Sequence, residues 1–180
     1  MSSAFVLSQI LVGIAAICDL ISFQCKKRES ILLWLAISST LISSHFFLLG
    51  NFTAGGCSLI TSFRMLTAYF SKARWWIVVF SALSILVFGL TYQNSINMLP
   101  LMASILGVFG VFQSSDKVLR KCIMAATLTW VIHNALIGSP AAFLLEAMFL
   151  AGNLIGYWRF HWRQPSVSAE ACKHFSRSCE

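Results

Sequence analysis

Long apolar runs alternate with short clusters of basic residues along almost the whole of this 180-residue chain. That alternation decides most of what the chain can fold into. A helix that spans a bilayer needs about 20 mainly apolar residues, and charge must then gather in the connections. The runs are Ala4–Phe23, Ile31–Leu49, Cys57–Phe70, Trp75–Tyr92, Leu99–Phe112, Cys122–Ile137 and Ala141–Phe160. Seven such helices use up nearly all of the residues, so no separate soluble domain fits. Charged residues make up only 11% of the chain, where a soluble domain keeps roughly a quarter.

The basic clusters also set an orientation. Lys26–Arg28, Lys72–Arg74, Lys117–Lys121 and the segment from Arg159 onward fall on one side if seven helices are counted. Every Lys and Arg except Arg64 then lies on that side, as the positive-inside rule requires. One helix more or fewer would put basic loops on both sides. The first run has its charge after it rather than before it, the reverse of a secretory signal, so it is read as a mature helix. The expectation is all-α, seven transmembrane helices, N-terminus outside and C-terminus inside. Residues 1–163 form the membrane domain and 164–180 a polar cytoplasmic tail. Trp34, Trp75, Trp76, Trp158 and Trp162 sit near helix ends, where interfacial aromatics belong.

The same argument disposes of the net charge of +7. In a soluble domain it would suggest nucleic acid, but here topology accounts for the basic residues. The six cysteines show no C-x-x-C pair and no metal-like spacing with His, so they are read as small apolar residues. No cofactor or metal is implied.

Two passages repeat. His45-Phe-Phe-Leu-Leu-Gly50 and His133-Asn-Ala-Leu-Ile-Gly138 both read H-x-x-L-[I/L]-G at the outer end of a run, 88 positions apart. The same slide lays the first, second and third runs on the fifth, sixth and seventh. The expected plan is therefore two parallel three-helix repeats, 4–70 and 92–160, joined by a linker helix over 75–92 (3+1+3).

With these passages in view, a family resemblance can be stated. His45–Gly50 with Ala54-Gly55 and Arg64 resembles the bacterial inner-membrane YgjV family. So does Trp130-Val-Ile-His133-Asn134, with Gly138-Ser139, Glu146, Asn153 and Trp158-Arg159-Phe160. The resemblance runs from the first helix to Trp162. It implies a multi-pass protein of the bacterial inner membrane and implies no reaction. The 3+1+3 plan is similar to that of SWEET and PnuC-type transporters, although the Pro-Gln dipeptide of SWEETs is missing. Pro100 has only Val12 as its counterpart.

Polar groups inside spanning helices are costly, so each is a candidate site. Arg64, Asn134 and Asn153 are the candidates for binding substrate. Asp19, His45, His133 and Glu146 are candidates for gating or for locking the bundle. Asp19 and Arg64 are expected to pair if the first and third helices are neighbours. His45 and His133 are read first as caps on their own turns, then as protonation sites of a gate, and last as a haem or metal pair. Glu146 is expected to reach His133 across the turn at Gly138–Pro140. Gly152 and Gly156 form G-x-x-x-G, read as a close-packing stripe. No catalytic motif stands out. The expectation is not an enzyme but a carrier or transporter of an unidentified small solute, in contact with lipid and of a size that leaves room for a homodimer. The rival readings are a structural or interaction subunit and an intramembrane enzyme.

Overall fold

The computed structural model describes residues 3–25, 27–71, 73–112 and 116–161. They form seven α-helices: α1 Ser3–Gln24, α2 Arg28–Leu48, α3 Phe52–Phe70, α4 Trp76–Thr91, α5 Met98–Val111, α6 Asp116–Leu136 and α7 Pro140–His161. A short 3-10 turn, Ser95–Asn97, precedes α5, and no strand occurs among the described residues. Residues 164–180, expected as a polar tail, and Trp162 lie outside the described residues.

The helices match the seven apolar runs, with two informative differences. α3 begins at Phe52, five residues before Cys57. The cause is Asn51, whose side-chain Oδ1 accepts from the backbone N–H of Ala54 at 3.3 Å and so starts the helix ahead of the apolar run. Gly55 and Gly56 are thereby taken inside the helix, where they let Phe47 and Val87 approach its backbone. α6 begins at Asp116, so the basic cluster Lys117–Lys121, expected between helices, belongs to the helix itself. Pro140 opens α7, where its missing N–H costs nothing.

By length and composition, two segments meet the full requirement for crossing a membrane, Ser3–Ser22 and Glu29–Leu48. Trp76–Thr91, Ser95–Val111 and Pro140–Ile155 are shorter apolar helices. The distribution of polarity speaks for the molecule as a whole. Outward-facing positions include Ile10, Ile14, Ile17, Val78, Leu86, Leu90, Leu144, Met148 and Ile155. The interior holds Ser8, Ser22, Ser38, Ser43, His45, Thr53, His133 and Asn134. A water-soluble bundle would reverse that order, so this surface calls for lipid around it.

The helices close a ring. α2 packs between α1 and α3, and α6 packs between α5 and α7; α3 meets α5 and α7 meets α1. α4 lies against α3 and α5. One apolar cluster, Ile60, Phe80, Val108 and Phe112, fills the α3–α4–α5 junction. A second, Val12, Ala142 and Leu145, joins α1 to α7 with Ala16 and Ile42 against it.

Candidate functional site

Both helical hairpins turn on a left-handed glycine, Gly50 at φ 74° and Gly138 at φ 68°. This region is open to glycine and strained for other residues. The surrounding bonds agree one for one. Leu49 N–H donates to His45 O and Ile137 N–H to His133 O, while Asn51 N–H donates to Phe46 O and Ser139 N–H to Asn134 O. The residue after each glycine then begins the following helix: Gly55 N–H donates to Asn51 O and Phe143 N–H to Ser139 O.

The histidines do not cap their own turns. Each reaches across to the other hairpin. The Ser139 hydroxyl bonds His45 Nε2 at 3.2 Å, and Asn51 Nδ2 bonds His133 Nε2 at 3.0 Å. The Asn51 amide has this orientation because its oxygen is already engaged at the α3 N-terminus. His45 Nδ1 donates to the Ser8 carbonyl of α1 at 3.0 Å, which fixes Nε2 as the acceptor in a neutral ring. His133 Nδ1 is buried with no hydrogen bond. Both rings are wholly buried. Between them Phe46 stacks on Trp130 (centroids 5.4 Å apart), and Trp130 meets His133 edge-on. Glu146 is not bonded to His133; it lies deeper in α7, within electrostatic reach of Asp19.

Below this lock lies a polar cavity of about 80 Å³ among α2, α3, α6 and α7. Ser39, Ser58, Thr61, Asn134 and Glu146 contribute polar groups, and Phe46, Trp130 and Ile42 add apolar walls. Asn134 is 1% exposed and its Oδ1 has no hydrogen-bond partner. At roughly 30 Å³ per water, the space holds two or three atoms the size of an oxygen.

Arg64, a candidate binding group, does not enter this cavity. It stands six positions after Ser58, which turns it about 120° away around α3. Its guanidinium is sealed into the α3–α5 seam, where Nη1 donates to Ser104 O at 3.3 Å and Nε has no partner. It rests on Gly107, the residue whose missing side chain makes the room. The expected Asp19–Arg64 pair is therefore not made. α2 stands between α1 and α3, and the polar neighbour that acts on the Asp19 carboxyl is Ser38 of α2.

Asp19 and Asn153 meet elsewhere. Both line an apolar groove of about 520 Å³ between α1 and α7, with Val12, Ala16, Leu145 and Gly152. Asn153 Nδ2 donates to Phe149 O of its own helix. Gly152 is no packing contact: a Cβ built there meets nothing within 4 Å. Gly156, its partner in the G-x-x-x-G stripe, has surroundings outside the described side chains. Among the described residues no group of three or more His, Cys, Asp or Glu could hold a metal ion.

Sequence reasoning missed Asn51, Ser139, Ser58 and Gly107 as site residues. The signal for three of them was present. Asn51 and Ser139, like Ser58 and Glu146, stand 88 positions apart, the same slide that pairs the histidines.

A family model described as a bacterial inner membrane protein, Imp-YgjV, matches residues 6–164. The inner membrane protein YgjV of Escherichia coli (strain K12) is 26% identical over 164 residues, covering 89% of this chain and 90% of that protein. No solved structure matches the chain.

Proposed function

This chain belongs to the Imp-YgjV family of bacterial inner membrane proteins, and on that premise we propose that it carries a small solute across the membrane. The proposed architecture is seven crossings, N-terminus outside, as two parallel three-helix repeats with α4 as the linker. The single observation that carries the reading is the polar cavity lined by α2 and α3 from one triplet of helices and by α6 and α7 from the other. Its lining pairs up under the 88-residue slide: Ile42 with Trp130, Phe46 with Asn134, and Ser58 with Glu146. A cavity on the axis between two repeats is where parallel-repeat carriers hold their cargo.

Each repeat contributes one wall, and the crossed histidine bonds hold the walls together at the glycine-turn end. Rocking one repeat against the other would break those bonds and expose the cavity there. The polar groups fit cargo binding better than mere packing, because Asn134 Oδ1 is buried there with no hydrogen-bond partner. No residue is assigned a catalytic role in this reading.

The test compares cells expressing the wild-type chain with cells expressing Glu146→Gln at equal membrane amounts. Untargeted mass spectrometry of cell extract and spent medium is the readout. A solute whose distribution follows the wild type and not the variant supports transport. Indistinguishable profiles across growth conditions sink it.

A further inference from the structure

The ring has two seams at which one triplet of helices meets the other, α3–α5 and α7–α1. Under the 88-residue slide these seams correspond, and their central positions exchange: Arg64 answers to Gly152, and Gly107 answers to Asp19. In the first seam the cation sits on the α3 side and lies across a glycine of α5. In the second the anion sits on the α1 side and faces a glycine of α7.

The consequence is a difference in filling. The Arg64 side chain, 4% exposed, occupies the first seam, and a Cβ on Gly107 would stand 3.0 Å from its Nη1. In the second seam the place of that side chain is open. A Cβ on Gly152 meets nothing, and the groove of about 520 Å³ runs past Asp19. Such a volume falls within the usual range of about 300–1,000 Å³ for small-molecule sites. Its walls are the apolar side chains of Val12, Ala16, Leu20, Leu144 and Leu145. Asp19 is 4% exposed, and Glu146 of α7 lies within reach of its charge. Neither carboxylate has a cationic partner among the described residues.

We infer that the α1–α7 groove binds an amphiphilic cation, an alkyl chain ending in an ammonium or guanidinium group, with its head on Asp19. Arg64 in the other seam is the covalent counterpart of that ligand: an alkyl stem along apolar walls with its charged head at the same depth. The head would donate to the Asp19 carboxylate and to the Ala16 carbonyl, the position equivalent to the Ser104 carbonyl that Arg64 uses. Asn153 stands beside it. The inference goes beyond the carrier reading: it adds a lipid-facing site to the separate cavity in which that reading places the cargo. Leu20, Leu144 and Met148 are exposed at the groove's edge, so a ligand of this kind would enter sideways from the lipid.

The test uses the full chain in nanodiscs and measures binding calorimetrically with n-hexylguanidinium and, as its neutral match, n-hexylurea. Hexylguanidinium should bind saturably and hexylurea should not. Asp19→Asn should weaken hexylguanidinium about thirtyfold or more, the usual consequence of removing one partner from a buried charge pair. Gly152→Arg should fold, raise the melting temperature and abolish binding, because it installs in this seam the side chain that already fills the other. Equal binding of the two probes is partition into apolar space and overturns the inference. So does a Gly152→Arg protein that keeps wild-type affinity, and this arm decides the matter if Asp19→Asn does not purify folded. Binding that Gly152→Arg abolishes supports the site even where the uptake comparison finds no solute. An uptake difference for a neutral solute, without hexylguanidinium binding, overturns the site and leaves transport standing.

Discussion

His133 and Asn51 are joined at 3.0 Å although they belong to different glycine turns, and His45 and Ser139 repeat the arrangement from the opposite side at 3.2 Å. Four side chains thus tie the two halves of the ring together at one end. The His45–Ser139 bond is buried and the His133–Asn51 bond partly so, and because both rings are 0% exposed a lost partner leaves a buried ring nitrogen unpaired.

The first prediction concerns this lock. A double-mutant cycle of Asn51→Ala and His133→Ala should give a coupling energy of about 1 kcal/mol, in the range measured for hydrogen bonds between membrane helices. Unfolding in mixed micelles with increasing denaturing detergent supplies the stabilities. A coupling indistinguishable from zero would mean that the bond is not formed in the folded protein.

The second prediction concerns the glycines on which the hairpins turn. Gly50→Ala and Gly138→Ala should each destabilise by about 1–2 kcal/mol, since both residues hold a positive φ that an L side chain resists. Space is not the reason, because a Cβ at either position meets nothing within 4 Å. The two losses should add within about 0.5 kcal/mol if the turns bend independently. Thermal unfolding of the single and double variants measures this.

How much of this was legible in the sequence can be said residue by residue. The seven helices were, because each is an apolar run interrupted by charge or by glycine. The match between the turns at Gly50 and Gly138 was also legible, since it needs only a repeated string. What the string could not show was direction. His45 and His133 looked like caps on their own turns, and only the packing of one hairpin on the other sends them across. Arg64 and Asp19 looked like partners because depth along a helix is readable from sequence. Rotation about the helix and the order of neighbours are not readable in that way. With α2 between α1 and α3, the two charges face different seams, and a glycine opposite each is the part that no local pattern announces.

The third prediction follows from those seams. Gly107→Leu should destabilise by about 1–3 kcal/mol, the range for overpacking, because the new side chain must displace a buried guanidinium held by the Ser104 carbonyl. Gly152→Leu, at the corresponding place in the open seam, should stay within about 0.5 kcal/mol of wild type or gain stability through helix propensity. The two variants make the same chemical change, so a difference between them reports the filling of the seams. Equal losses would show that the α1–α7 groove is closed in the folded protein.

The fourth prediction tests the orientation in the membrane. Lys27 follows α1 and Gln93 follows α4, so α2, α3 and α4 lie between them, and both side chains are exposed. Three crossings would put these residues on opposite sides. The cluster around Lys27 is basic, and the segment around Gln93 carries no Lys or Arg, so the charge rule puts Gln93 outside. With the six native cysteines replaced by serine, Gln93→Cys should react with a membrane-impermeant maleimide in intact cells. Lys27→Cys should react only after the inner membrane is opened. Labelling of both from outside would remove a crossing from the stretch between them. The reverse pattern would invert the protein, and the histidine lock would then stand at the cytoplasmic face.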